Sequence, residues 1–330
     1  MTERLDVVAI GNAIVDVLAR VEDDFLGQHG IEKGIMQLID TDRAASLYEA
    51  MPMGHEISGG SAANTVAGLA ALGAKTAFVG RVRDDQLGRI FAHDIRALGA
   101  EYDGPMVNGV DGVETGRCLV MVTPDGERSM STYLGISAGL CPEDIDVTLM
   151  SRADWLYLEG YLFDSPDAKA AYIRAIEAVK AGGGQVAFTV SDPFCVERHR
   201  EDMKALIADH VDLLFANKAE LLALYETEDF EAALERLSGD VHMAAVTMSG
   251  DGAVVLQGGV RTEVPAEAVE VVDSTGAGDM FAAGFLSGLA RGRAPAAAAR
   301  MGCVAAAEVI SHLGARPEED LKARMAAAGI

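Results

Sequence analysis

Seven consecutive residues, Asp273-Ser274-Thr275-Gly276-Ala277-Gly278-Asp279, could hold an anion and move a proton beside it. Two glycines around an alanine let successive backbone N–H groups turn inward without Cβ obstruction, just where a helix-compatible run, 280–289, begins. Unpaired amides and the positive end of a helix dipole converge at such a point, which suits a phosphate. A carboxylate placed there would repel that phosphate unless it had a task of its own. Asp279 therefore reads as a general base, accepting a proton from an attacking hydroxyl while the amides of Gly276, Ala277 and Gly278 hold the transferred phosphoryl group. Apolar Val269, Val271 and Val272 predict a strand over 269–272, so the unit reads strand, glycine turn, helix.

Other glycine motifs fail on spacing. A dinucleotide fingerprint needs a glycine where Phe281 stands, and no Gly-Lys-Ser/Thr of a Walker A loop occurs. Gly135-Ile136-Ser137-Ala138-Gly139 fits the pattern of a hydrolase nucleophile elbow, but Leu140, Cys141 and Pro142 follow it instead of a long helix. It reads as a flexible turn.

Three further groups carry polar chemistry. Gly11-Asn12 ends the first apolar run, Asp16 follows four residues later, and Ser58-Gly59-Gly60-Ser61-Ala62-Ala63-Asn64 opens a helix running to about Leu72. A Gly-Gly step admits a ligand close to the backbone, and Asp and Asn can bond paired hydroxyls. Asn217-Lys218-Ala219-Glu220 follows an apolar run at 213–216, where either a helix cap or a ligand-facing pair would fit. Thr247-Met248-Ser249-Gly250-Asp251-Gly252, between two apolar runs, suits a hairpin turn or a nucleotide turn.

The 273–279 segment resembles the C-terminal signature of the ribokinase-like, or PfkB, carbohydrate and nucleoside kinases, Asp-Thr-x-Gly-Ala-Gly-Asp, with Ser274 in the usual Thr place. The stretch 59–99, with Gly80, Asp84, Gly88 and Gly99, resembles the family's N-terminal signature, and the resemblance covers essentially the whole chain. It implies ATP as phosphoryl donor, magnesium organised by Asn217 and Glu220 largely through water, and a monovalent cation such as K+. Asn12, Asp16, Gly59, Gly60 and Asn64 would hold the sugar or ribose. Asn217, Thr247, Ser249, Gly250, Gly252 and Gly278 would face ATP, although the glycine spacing at Ser249-Gly250-Asp251-Gly252 is shifted by one. Ser311-His312-Leu313-Gly314-Ala315 resembles the segment beside the adenine and monovalent-cation sites. Within the family the chain resembles the adenosine kinases at Thr115-Gly116-Arg117-Cys118, Glu127-Arg128-Ser129, Gly160-Tyr161 and Asp192-Pro193-Phe194. That likeness implies phosphorylation of the 5′-hydroxyl of adenosine, with Cys118, Arg128, Tyr161 and Phe194 about the nucleoside and the Tyr161 ring against the base. A sugar kinase acting on ribose or fructose is the alternative.

The elements that must position these residues alternate. Apolar runs at 155–158, 186–190, 213–216, 244–247, 253–256 and 269–272 predict strands, and 167–181, 217–225, 230–237, 276–289 and 295–310 predict helices. This rhythm implies an α/β fold, a doubly wound, mostly parallel sheet with helices on both faces. After the apolar run 7–10, strand-like pieces at 14–21, 36–39, 117–123 and 129–134 break the rhythm, the last two forming a hairpin around Pro124-Asp125-Gly126-Glu127. They predict a small separate sheet within about 14–40 and 107–134, which the resemblance casts as a discontinuous lid on a single domain spanning 1–330. A net charge of −24 disfavours nucleic acid and acidic membranes as partners. Four scattered cysteines, without a zinc spacing, suit a reducing cytoplasm. No apolar run has the length of a secretory core or a membrane span. The expected partners are thus a small-molecule nucleoside or sugar and ATP, for a cytoplasmic monomer or homodimer.

Overall fold

Short apolar runs form the strands, and the segments between them are mostly helices with one buried side. The computed structural model describes residues 3–102, 104–108 and 112–330. In chain order the strands are β1 (Leu5–Ile10), β2 (Ile14–Arg20), β3 (Met36–Leu38), β4 (His55–Gly59), β5 (Thr76–Val79), β6 (Val82–Arg83), β7 (Met106–Val107), β8 (Gly116–Val122), β9 (Arg128–Tyr133), β10 (Ala153–Glu159), β11 (Gln185–Thr189), β12 (Leu213–Asn217), β13 (Met243–Thr247), β14 (Ala253–Gln257) and β15 (Val260–Val264). The helices are α1 (Asp23–Gln28), α2 (Thr41–Ala50), α3 (Ser61–Ala71), α4 (Gln86–Ala97), α5 (Val147–Met150), α6 (Pro166–Ala181), α7 (Pro193–His210), α8 (Lys218–Tyr225), α9 (Phe230–Asp240), α10 (Ala277–Ala290), α11 (Pro295–Val309) and α12 (Leu321–Ala327).

The large sheet runs in the order β15-β14-β13-β12-β11-β10-β1-β5. Its pairs from β5 to β13 are parallel, and β14 and β15 are antiparallel additions at one edge. Strand β1 shows why helices must cover both faces. Val8 and Ile10 enter an apolar layer shared with α6, α7, α8 and α9, while Val7 and Ala9 enter another shared with α3, α4, α10 and α11. A strand buried on both faces must be apolar almost throughout, which is what made β10 to β14 readable as runs. The doubly wound α/β architecture expected from the alternation is the one the chain adopts. The parallel strands also deliver their carboxyl ends to one edge, where Asn12, Glu159, Asn217 and Thr247 emerge.

One expected strand is absent. Residues 269–272 form an extended connection, and Val271 and Val272 are 62% and 50% exposed. The Val272 amide donates instead to the Ile310 carbonyl at 2.8 Å. Apolar composition alone suggests a strand, but Val269 and Val271 line an open cleft, and the end of α11 takes the Val272 and Asp273 amides. The strand that does exist at that edge, β15, pairs with β14 through the turn Gly258-Gly259, at φ 55° and 81°. Two glycines in the left-handed region are a strong hairpin signal that the apolar-run reading passed over.

The small sheet has the order β3-β9-β8-β2-β4, with the β8–β9 hairpin as expected and β4 added at an edge. The segment 107–134 includes 109–111, which lie outside the described residues. Alternation gives this sheet two unlike faces. Val17, Val21, Leu119 and Met121 pack against Leu26 of α1 and Leu47 of α2. Ile14, Asp16, Leu18, Cys118, Val120, Val122, Met130 and Thr132 face the cleft instead. The elbow-like segment is a short 3-10 helix, Gly135–Gly139, rather than a flexible turn, and its buried Ser137 donates to Asn12 Oδ1 at 2.9 Å.

Candidate active site

The glycine turn is built around Gly276, the N-cap of α10. It sits at φ 78°, and a Cβ there would lie 2.7 Å from the Ala315 side chain. Gly278 differs, because a Cβ added to it would meet open space. The first glycine is thus required by the turn, and the second leaves the first-turn amides approachable. Asp273 braces the turn from below. Its Oδ1 accepts from Thr275 N at 3.0 Å and Thr275 Oγ1 at 2.7 Å, and its Oδ2 accepts from Gly314 N at 2.9 Å. The Arg128 guanidinium of β9 lies 2.8 Å from the same Oδ2, a buried ion pair between the small sheet and the turn.

Asp279 stands in the first turn of α10. Its Oδ1 accepts from Ser61 Oγ at 2.6 Å and its Oδ2 from Asn64 Nδ2 at 3.0 Å, so α3 and α10 meet through the carboxylate. Asn64 Oδ1 is buried without a hydrogen-bond partner among the described residues, an acceptor that a ligand hydroxyl could satisfy. Every sequence-predicted site residue except Gly59 lines one cleft of about 2600 Å³. Gly59 acts from behind, since a Cβ there would lie 2.3 Å from the Asp16 carboxyl. Gly60 lines the cleft at φ 97°, and its added Cβ would strike the Asn12 carbonyl at 2.3 Å.

The predicted residues do not all present free groups. Asn12 is buried, with Nδ2 donating to Glu159 Oε1 at 3.0 Å and Oδ1 taken by Ser137. The Cys118 thiol accepts from Thr132 Oγ1 at 3.2 Å, and burial pushes its pKa up to about 12, so it is a neutral wall. Tyr161 donates to the Ser191 carbonyl at 3.4 Å, while Phe194 is 72% exposed at the start of α7.

Asn217 and Glu220 form a reciprocal cap. Asn217 Oδ1 accepts from Glu220 N at 2.9 Å, Asn217 N donates to Glu220 Oε2 at 2.8 Å, and Asn217 Nδ2 donates to Glu220 Oε1 at 2.6 Å. Thr247 ends β13. Ser249 at φ 51° begins a 3-10 turn, Gly250 has no atom within reach of an added Cβ, and Gly252 at φ 92° would strike the Val264 carbonyl if it carried one.

Carboxylates dominate the cleft. Burial pushes Asp16 up to about 6; Arg316 and Arg128 oppose the rise and Asp279 adds to it. Asp279 is also raised, by burial first, with the Ser61 and Asn64 bonds and Arg316 pulling it back. Glu220 goes up to about 7 through burial, helped by Asp192 and Asp279, and Glu159 likewise reaches about 7. Asp279 thus adds to the rise at Asp16, Glu159 and Glu220, and such crowding of carboxyls favours a cation brought in with a ligand. Among the described residues no group of three or more His, Cys, Asp or Glu side chains is arranged to hold a metal ion.

Four contributors escaped the sequence reading. Ser61 holds Asp279; buried Glu159 accepts from Asn12 N and Ala62 N, each at 2.8 Å; Ser191 at φ 77° accepts from Gly160 N at 2.8 Å; and Arg316 donates to the Ser58 carbonyl and to Ser58 Oγ. Glu159 and Arg316 sit far along the chain from the loops they serve, and no local pattern marks them. Ser61, directly after Gly59-Gly60, carried a readable signal as the first residue of a helix facing the cleft.

The pfkB family carbohydrate kinase model matches residues 32–321. The crystal structure of an adenosine kinase from Sinorhizobium meliloti is 48% identical, with a TM-score of 0.91 over 98% of this chain and 99% of that one. A probable sugar kinase from Rhizobium etli is 46% identical, also at 0.91, covering 99% of each chain. An ATP-dependent ribose-1-phosphate kinase from Halopiger xanaduensis is 33% identical over 253 residues, 76% of this chain and 78% of that one. No helix among the described residues is long and apolar enough to cross a membrane. With its Asp-Ser-Thr-Gly-Ala-Gly-Asp turn at the head of α10 and a ribokinase-like sheet behind it, the chain belongs to the pfkB family of carbohydrate kinases and is an ATP-dependent kinase that acts on an alcohol group.

Proposed function

We propose that the alcohol is the 5′-hydroxyl of adenosine and the product AMP, with Asp279 as general base. The observation that carries this reading is the two-sided character of the acceptor end of the cleft. Asp16 and the unpartnered Asn64 Oδ1 offer acceptors for ribose hydroxyls, while Ile14, Leu18, Val120, Val122 and Met130 of the small sheet and the Tyr161 ring offer apolar surface beyond them. A bare sugar has no use for that surface, whereas a purine buries its faces there. The 48% identity to the Sinorhizobium adenosine kinase supports the same choice. An acceptor that already carries a phosphate is disfavoured, because Asp16, Asp94, Asp279 and Glu159 outnumber the cations facing them.

The hydroxyl proton passes to an Asp279 carboxylate oxygen as the acceptor oxygen bonds to the γ-phosphorus. The bond from that phosphorus to the bridging oxygen breaks, and ADP leaves with the electron pair. The amides at the head of α10 stabilise the charge on the transferred group. The residues fit magnesium: Asp192 and Asp279 both add to the rise in the Glu220 pKa, and a cation beside Glu220 would relieve that. Asn217 and Glu220 would hold it through water, and the ion would neutralise phosphate charge. A monovalent cation beside Ser311–Ala315, where the resemblance sets it, finds no free oxygen on Asp273, the carboxylate that Gly314 of that segment bonds, because it already meets Thr275 and Arg128 as well. No step is assigned to one.

An ADP-release screen of adenosine, ribose, fructose and ribose 1-phosphate tests the substrate. Adenosine should lead in kcat/KM by about 10² or more, as expected when a pocket gains an aromatic face and apolar contacts from only one candidate. A sugar that outperforms adenosine would transfer the assignment to that sugar.

A further inference from the structure

Strands β10 and β11 end side by side, Glu159 against Thr189, and the loops that leave them meet at the cleft. The β11 loop turns at once. Asp192 N donates to the Val190 carbonyl at 3.1 Å, with Ser191 between them at φ 77°. That is a γ-turn of the rare, strained hand, which glycine would adopt without penalty. The surroundings hold it there: Val190 N donates to the Phe215 carbonyl at 3.3 Å, and Asp192 caps α7 by accepting from Cys195 N at 2.8 Å. A serine at a position that glycine would fill more easily points to a task for its hydroxyl.

The hydroxyl and the carbonyl of Ser191 both meet one dipeptide, Gly160-Tyr161. Ser191 Oγ donates to the Thr189 carbonyl at 3.5 Å, which leaves its lone pairs for the Gly160 amide, a donor at 2.8 Å. The Ser191 carbonyl accepts from the Tyr161 hydroxyl at 3.4 Å. Cys195, in the first turn of α7, donates its thiol to the Gly160 carbonyl at 3.1 Å. Gly160 has no room for a side chain, since a Cβ there would lie 2.6 Å from the Val190 carbonyl oxygen. The dipeptide is thus held at its amide, its carbonyl and its ring hydroxyl, all by the turn and the helix it starts. Tyr161 and Ser191 both line the cleft.

We propose that Ser191 is a positioning residue for the acceptor, acting through Tyr161: its strained turn clamps the tyrosine ring in one place on the cleft wall. The inference rests on the reading of Tyr161 as the ring that lies against the acceptor's base. A wall that must be ordered at each binding event costs affinity, and a wall already fixed does not. The clamp should therefore show in KM for the acceptor rather than in the transfer step.

The test compares Ser191→Ala and Ser191→Gly, alone and combined with Tyr161→Ala, using whichever alcohol the wild type phosphorylates best. Ser191→Ala keeps the strained turn without the hydroxyl. Ser191→Gly removes hydroxyl and strain together, and keeps the test open if Ser191→Ala fails to fold. Each should raise KM for the alcohol about tenfold, the loss expected of one hydrogen bond, with kcat and KM for ATP within about threefold. In the Tyr161→Ala background the same substitutions should change that KM by less than about twofold, because nothing is left to position. A second readout needs no substrate. In fluorine NMR of protein labelled with 3-fluorotyrosine, the Tyr161 signal, identified by its loss in Tyr161→Phe, should shift or broaden in both Ser191 variants. A Tyr161 signal unmoved in both variants overturns the proposal, as does a Ser191 effect that persists in full once Tyr161 is alanine. A wild type that prefers a sugar, with the signal moved and the effects non-additive, would retire adenosine as the acceptor and retain the clamp.

Discussion

The two ends of the cleft are made of different materials. At the acceptor end the groups are side chains, and each is fixed by another: Asp279 by Ser61 and Asn64, Asn12 by Glu159 and Ser137, the Asp16 position by the missing Cβ of Gly59. At the end we assign to ATP the groups are mostly backbone: the amides at Gly276 to Gly278, the 3-10 turn at Ser249, and exposed Val271 and Val272 on an extended stretch. Moving a proton needs a titratable atom at a fixed place, and burial supplies the pKa shift only if neighbours hold the atom there. Holding a polyphosphate needs donors, which every peptide unit carries, and clearance, which glycine gives. Substitutions at the first end should therefore act on chemistry, and those at the second on ligand requirements.

The strongest way to break this division is Asp279→Asn. It keeps the size of the side chain and can still meet Ser61, but it removes the group we propose as base. Turnover should fall by about 10²–10⁴ while KM for ATP moves by less than about threefold. The wild-type pH profile gives a second reading. A base whose pKa is raised is lost as pH falls through that value, so kcat should decline on the acid side. In Asp279→Asn the remaining limb should be that of Asp16, below its wild-type position of about 6 because the Asp279 charge no longer raises it. Near-native turnover, or an unchanged acid limb, would dissolve the contrast between the two ends.

A subtler break uses Gly59, which does not line the cleft. Asp16→Ala removes the carboxylate, and Gly59→Ala displaces it, because the new Cβ would lie 2.3 Å from it. Both should lower kcat/KM for the acceptor by about 10–10², the range for a hydrogen bond to a charged group, and leave ATP binding alone. If Gly59→Ala is silent while Asp16→Ala is damaged, the carboxylate can relocate and the glycine is not its support.

How far the sequence could be read follows the same boundary. Strands β10 to β14 were legible because both faces are buried, so no polar alternation blurs them. Strand β15 was not, since its exposed Val260, Arg261 and Glu263 at the sheet edge resemble loop composition. The run 269–272 misled for the converse reason: valines that line an open cleft look like valines in a core. At the site, the glycine turn and the Asn217–Glu220 pair were readable because the residues that make each motif fall within seven consecutive positions, wherever their partners lie. Glu159 and Arg316 were not, because the residues they serve, Asn12 and Ser58, lie 147 and 258 positions away. Local chemistry leaves a local pattern, and long-range support leaves none.

The smallest expected effect tests the other end. Glu220→Gln retains the shape of the cap but replaces one accepting oxygen with an N–H donor that faces the Asn217 donors. A helix-cap loss alone should cost about 1 kcal/mol of stability, and a thermal melt will show it whatever the residue's role. If Glu220 also organises magnesium through water, removing its charge takes away part of the acidic field among Asp192, Glu220 and Asp279. The magnesium concentration giving half-maximal turnover should then rise by about tenfold, with kcat recovering at saturating magnesium. Raising ATP at fixed magnesium should not substitute for the metal. A lower melting temperature with an unchanged magnesium titration would reduce the Asn217–Glu220 pair to a helix cap, and the ATP end of the cleft would then depend on backbone donors alone.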